Sequence, residues 1–211
     1  MEKWKDFYRR YPQCWVLLYL FIYIPWFILL ERRTSVSYTV LHTGWDDAIP
    51  FCEYFIIPYY IWYLYFAGTA FYFLFRRPRK EFYEFAVLVA SGMTFWLLLC
   101  TIWPNGLVLR PAIEPERSFC ARLVSLIYAA DTPTNVFPSM HVYVSIVAHS
   151  TIRRNLRKSY PGGTVFSGVL MVLICVSTVF VKQHSVLDVA GGILLFALLA
   201  PVVYHGGREK R

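Results

Sequence analysis

An all-α, polytopic bundle of about six transmembrane helices is the fold class this sequence predicts, and three observations predict it. Of 211 residues, 57% are hydrophobic and 16% charged, which is too little charge to cover a soluble domain of this length. The apolar residues come in long runs rather than stripes, and about 20 apolar residues per helix cross the hydrocarbon core. The cations gather in clusters at alternate ends of those runs, as the positive-inside rule expects.

The runs lie at 14–30, 51–75, 82–103, 138–152, 163–181 and 186–205, and they fill the chain as a single domain, 1–211. Lys3, Lys5, Arg9 and Arg10 precede the first run and "LLERR" closes it. With no small-residue cleavage site after it, this run reads as an uncleaved span. Pro25 and Pro58 fall inside spans, where neighbouring helices re-satisfy the freed backbone groups. "HTGWDDAIPFCEY" is too polar to span and reads as an interfacial turn before the second run. Arg76, Arg77, Arg79 and Lys80 separate the second and third runs, and Arg153, Arg154, Arg157 and Lys158 follow the fourth. The fourth run is long enough only if 138–141 begins its helix. Gly191 and Gly192 suit close helix packing in the sixth. Arg208, Lys210 and Arg211 end the chain.

This alternation places both termini in the cytoplasm and makes the net charge of +8 a statement of topology. No basic groove is joined to base-reading groups, so no nucleic-acid partner is expected. The five cysteines show no C-x-x-C and no zinc spacing, and neither a metal nor a cofactor is implied.

The polar groups able to do chemistry fall on the outward side. In "HSVLD", His184 and Asp188 are four apart, on one face of a helix. The carboxylate there fixes the imidazole tautomer and turns the other ring nitrogen outward as a nucleophile; the plainer reading is a satisfied polar pair at a helix end. In "FPSMH", Pro138 and Ser139 open a helix whose first-turn amides attract an anion, with His141 inside that turn. In "VLRPAIEP", Arg110 is held extended beside Pro111 and is able to clamp phosphate oxygens, or to face lipid headgroups. Asp131 and Asn135 in "DTPTNVFPS" orient the site, contact a headgroup, or simply form the turn. His42, His149 and His205 have no such setting and read as structural.

Together these residues suit in-line phosphoryl transfer, with one histidine attacking phosphorus and the other protonating the leaving alkoxide. At this point the chain resembles the type 2 phosphatidic acid phosphatases, a family sharing its helical core with vanadium haloperoxidases. Arg110-Pro111, Pro138-Ser139-x-His141 and His184-x-x-x-Asp188 before Gly191 carry the likeness over the C-terminal half. The resemblance implies His184 as nucleophile, Asp188 as its orienting partner and His141 as general acid and base. Arg110 and Ser139 would bind phosphate, with no metal. Two family cations are missing, replaced by Trp103 and Thr178, and Lys182 is the obvious substitute. The form Phe-Pro-Ser-x-His looks more like the inositol phosphorylceramide synthase and sphingomyelin-synthase-like branch.

The expected activity is therefore a lipid phosphatase acting on a lipid phosphate or pyrophosphate monoester at the extracytoplasmic face. A lipid headgroup phosphotransferase is the close alternative. A non-catalytic lipid transporter or scaffold is the competing reading from another class.

Overall fold

The computed structural model describes residues 9–33 and 36–206, together with Asp6. Lys3, Lys5, Arg208, Lys210 and Arg211 lie outside the described residues. A 3₁₀ segment, Pro12–Tyr19, runs on into α1, Leu20–Glu31. Strand β1, Thr39–Val40, and the short helix α2, Gly44–Ala48, follow. Then come α3, Ile56–Arg76, α4, Arg79–Ile102, strand β2, Asn105–Gly106, and α5, Phe119–Ala130. The chain ends in α6, Met140–Leu156, α7, Pro161–Phe180, and α8, Val186–Gly206.

Each apolar run becomes helix. Four of these helices are long and apolar enough to cross a membrane: Pro12–Glu31, Arg79–Ile102, Pro161–Phe180 and Val186–His205. This is an all-α membrane bundle. α3 is 21 residues long, but tyrosine and tryptophan supply much of its bulk and lower its hydropathy. α6 has 17 residues and carries Arg153 and Arg154 in its last turn. Large side chains such as Phe21, Leu29, Ile102, Phe166, Leu198 and Val202 are exposed. In water so much bare apolar surface would drive association; in lipid it is the expected outer coat.

α6 is the axis of the bundle and packs against α3, α4, α7 and α8. Its Val142, Tyr143, Val147 and Ala148 are fully buried. Tyr143 reaches α4, where its hydroxyl donates to the Leu88 carbonyl at 2.6 Å. The ring lies so close to Gly92 that a Cβ there would sit 2.1 Å from Tyr143 Cε1.

A layer of loops closes one end of the bundle. β1 and β2 pair in parallel, and Gly106 bridges to Thr134. Buried Asn105 fastens that layer to the segment before α6: its carbonyl accepts from Asn135 N at 2.6 Å and its Oδ1 from Phe137 N at 2.8 Å. α5 is amphipathic and was not foreseen in the long outer loop. Ser118 caps it by accepting from Ala121 N at 2.9 Å. Its Cys120, Val124 and Ile127 pack on Ile56, Tyr59 and Val181.

The α4–α6 contact can be tested with two glycines. Gly92→Ala should lower the unfolding midpoint in detergent, by overpacking of about 1–3 kcal/mol. Gly68→Ala, where a Cβ meets nothing within 4 Å, should leave the midpoint unchanged or raise it.

Candidate active site

Two helix starts meet under the loop layer. Ser139 caps α6, its Oγ accepting from Val142 N at 3.4 Å. Its own N–H donates to the Asp188 carbonyl in the first turn of α8, at 3.0 Å. The two starts approach this closely because α8 carries glycines there. A Cβ on Gly191 would fall 2.5 Å from Phe137 Cε2, and one on Gly192 2.8 Å from the Ser139 carbonyl oxygen.

This contact brings the two histidines together. The His141 and His184 ring centroids are 5.6 Å apart. His184 Nδ1 lies 3.3 Å from Asp188 Oδ2, which also accepts from Ser185 N at 2.8 Å. An ionised carboxylate only accepts, so Nδ1 carries the proton and Nε2 is left for chemistry. Asp188 is fully buried, and its Oδ1 has no hydrogen-bond partner. His141 packs against the rings of Tyr59 and Trp62, with centroids 4.6 and 4.3 Å away. The buried nitrogens His141 Nε2 and Trp62 Nε1 are also unpartnered.

Both histidines line one cavity of about 320 Å³. Asp131, Asn135 and Gln183 line it too, as does Glu31 from the end of α1. No family model, curated protein or solved structure matches this chain. The three motifs carry the family resemblance on their own.

Arg110 and Lys182 depart from the expectation that they face phosphate. Arg110 Nη1 donates to the carbonyls of Asp131, at 2.8 Å, and Tyr128, at 3.3 Å, while Nη2 donates to Gln183 Oε1. The guanidinium stands behind the wall, 4.7 Å over the Tyr128 ring, and reaches the cavity through Gln183. Buried Gln183 keeps its Nε2 unpartnered. Lys182 Nζ donates to the carbonyls of Asp46 and Ile49, at 2.6 and 2.5 Å, and does not line the cavity. Four backbone carbonyls and a neutral amide thus take up donors assigned from sequence to an anion.

Asn135 is architectural as well as cavity-lining. Its Oδ1 accepts from Arg33 Nη2 at 3.2 Å, and its Nδ2 donates to Glu31 Oε1 at 3.2 Å. Asn135 and Lys182 have φ of 55° and 53°, a left-handed backbone that asparagine tolerates better than lysine. The remaining histidines lie elsewhere: His42 pairs with Asp47, His149 with Ser167, and His205 with the Pro201 carbonyl.

Asp46, which the sequence places in the interfacial turn "HTGWDDAIPFCEY", has a longer reach in the structure than that turn. Its Oδ1 accepts from Val186 N at 2.8 Å, and its Oδ2 from Ser185 Oγ at 2.7 Å and Thr43 N at 2.8 Å. It caps α8 from 140 residues away in the chain. Burial pushes its pKa up, but the hydrogen bonds from Val186, Ser185 and Thr43 outweigh this and hold it below the ordinary carboxylate value. The local signal was Thr43-x-x-Asp46, a capping box for α2; its reach to α8 has no sequence signature.

Asp46→Asn should destabilise the protein by about 1–2 kcal/mol, as loss of a good helix cap does. The contribution of Asp46 is present at neutral pH and is lost as pH falls through its depressed folded pKa. Thermal unfolding in detergent against pH would read this. Lys182→Met should lower the midpoint too, without the loss of phosphate affinity that a cavity cation would show.

Proposed function

We propose that this protein is an integral membrane enzyme that cleaves a lipid phosphate ester through a phosphohistidine on His184. One observation carries the reading: imidazoles 43 residues apart in sequence lie 5.6 Å apart, centroid to centroid, on the wall of one cavity, with one of them oriented by a buried carboxylate. Buried histidine pairs that merely fill a core satisfy both ring nitrogens or face apolar neighbours. Here His141 Nε2 is buried without a partner, and both rings line the cavity.

The chemistry follows from the donors present. Asp188 holds the Nδ1 proton and supports the imidazolium charge as Nε2 attacks phosphorus in line. The bond from phosphorus to the lipid alcohol breaks, and His141 delivers the proton the alkoxide needs. Water, deprotonated by the same His141, then attacks the phosphohistidine and releases inorganic phosphate. Gln183 Nε2 and Trp62 Nε1 are the buried, unpaired donors available to phosphoryl oxygens. Arg110 polarises Gln183 from behind.

The basic ends of α3 and α6 lie opposite the site along the bundle. By the positive-inside rule the site is then extracytoplasmic, the termini are cytoplasmic, and α3 and α6 complete six spans. A site at the span ends takes a lipid sideways from the outer leaflet. The second reading is a headgroup phosphotransferase, in which another lipid alcohol replaces water. The length of the cavity favours it, since space continues past the histidines to Tyr23, Phe27 and Glu31.

Protein in nanodiscs, given a panel of lipid phosphates, pyrophosphates and phosphodiesters, should turn over at least one of them. His184→Ala should cut that rate by about 10³-fold or more, and Asp188→Asn by about 10²–10⁴-fold. Transfer of phosphate label from the lipid to the protein, stable to alkali and lost in acid as a phosphohistidine is, should disappear with His184→Ala. Free phosphate marks hydrolysis; a new phospholipid without free phosphate marks transfer. Biological activity unaffected by His184→Ala would instead mark a transporter or scaffold.

A further inference from the structure

The cavity beside the histidines has the wrong charge for a plain phosphate group. Among the described residues, no lysine or arginine lines it, whereas two carboxylates do, Glu31 and Asp131. Glu31 is fixed in place, with Thr132 Oγ1 donating to its Oε2 and Asn135 Nδ2 to its Oε1. The nearest arginines do not line the cavity; their Nη atoms are engaged, and each keeps a buried Nε without a partner. Arg33 donates to the Cys100 carbonyl at 2.7 Å and to Asn135, and Arg110 to Tyr128, Asp131 and Gln183. A phosphate monoester filling this space would bring two further negative charges toward both carboxylates in a medium that screens poorly.

The walls are aromatic. Tyr23, Phe27 and Trp96 form one face, with Phe27 stacked on Tyr23 at 6.0 Å and on Trp96 at 5.8 Å. Trp62 and Tyr63 form another, with ring centroids 5.0 Å apart. Ring faces and carboxylates around one space are the chemistry that holds an ammonium or quaternary ammonium group.

We propose that the substrate is a phosphate ester carrying a positively charged nitrogen, with the nitrogen seated between Glu31, Asp131 and the aromatic walls and the phosphate turned to the histidines. This rests on the reading of His184 and His141 as the reacting pair. The nitrogen eases the charge conflict: its single positive charge offsets one of the two carboxylate charges, and it carries its phosphate to a pair of imidazoles with no lysine or arginine lining the cavity beside them. Burial, and then the charge of Glu31, push the Asp131 pKa up to about 6, with Arg110 and His184 pulling the other way, so a cation placed in the cavity would favour its ionised form. The nitrogen has two chemical sources. It belongs to the headgroup of a phosphodiester lipid, or to the lipid backbone of a long-chain amino-alcohol phosphate. In both, the bond from phosphorus to the leaving alcohol breaks, the bond from His184 Nε2 to phosphorus forms, and the alcohol takes the proton from His141.

The test is equilibrium binding of phosphocholine, phosphoethanolamine and glycerol 3-phosphate to the full chain in detergent, followed by calorimetry. The two amine probes should bind about tenfold or more tighter than glycerol 3-phosphate. Glu31→Gln, which keeps the acceptor for Thr132, and Asp131→Asn should each remove most of that advantage, and His184→Ala should keep it. Equal or tighter binding of glycerol 3-phosphate, no measurable binding of phosphocholine, or an advantage indifferent to both substitutions would overturn the proposal.

Turnover then separates the sources. Vesicles of phosphatidylcholine or phosphatidylethanolamine should react if the nitrogen is in the headgroup, and a long-chain amino-alcohol phosphate if it is in the backbone. Phosphatidic acid and phosphatidylglycerol should lag behind whichever reacts. Phosphatidic acid turned over as fast, in a His184-dependent way, would sink the cationic substrate and keep the enzyme. Amine-selective binding with no lipid turned over would do the reverse.

Discussion

Burying the Asp188 carboxylate is the constraint on which the rest of this structure depends. A charge removed from water in a membrane bundle is costly unless hydrogen bonds replace its hydration. Asp188, fully buried, meets that demand at Oδ2 with the Ser185 amide and the His184 ring and leaves Oδ1 without a partner, while its backbone carbonyl takes the Ser139 amide from the start of α6. The same residue that orients the His184 ring therefore also joins the two helices that carry the histidines. Gly191 and Gly192 permit the approach, and Asp46 holds the first turn of α8 from across the loop layer. Chemistry and architecture share one set of contacts, so a change that loosens the α6–α8 junction also separates the imidazoles.

The cations sit differently from the way phosphate chemistry suggests. Arg110 is spent on carbonyls and on Gln183, and Lys182 braces the 46–49 segment. Each satisfies backbone oxygens that would otherwise lie bare in a low-dielectric layer. The cavity that remains is acidic and aromatic beside the histidines.

The membrane bundle was legible in the sequence because its signal is local. Long uncharged runs become helices wherever they occur, and the i, i+4 spacing of His184 and Asp188 fixes their shared face whatever surrounds them. Ser139 as a cap and the paired glycines of α8 were legible for the same reason. What escaped depends on residues far apart in the chain. Glu31 looked like the polar end of a span, yet it meets Thr132 and Asn135 about 100 residues later. Asp46 belonged to a plausible local turn and caps a helix in the last quarter of the chain. Asn105 sat in an unremarked loop and fastens two others. α5 was missed because its apolar stripe is short and lies within a loop otherwise rich in charge and proline. Lys182 was assigned to phosphate by its nearness to His184, but its left-handed backbone sends the side chain the other way.

The central claim is that His184 and His141 address one phosphoryl group in one pocket. The most direct measurement is an experimental structure of the protein with orthovanadate, a mimic of five-coordinate phosphorus. The expected result is vanadium bonded to His184 Nε2, with an apical oxygen within hydrogen-bond reach of His141. Vanadate bound away from His184, or two rings facing separate compartments, would contradict it.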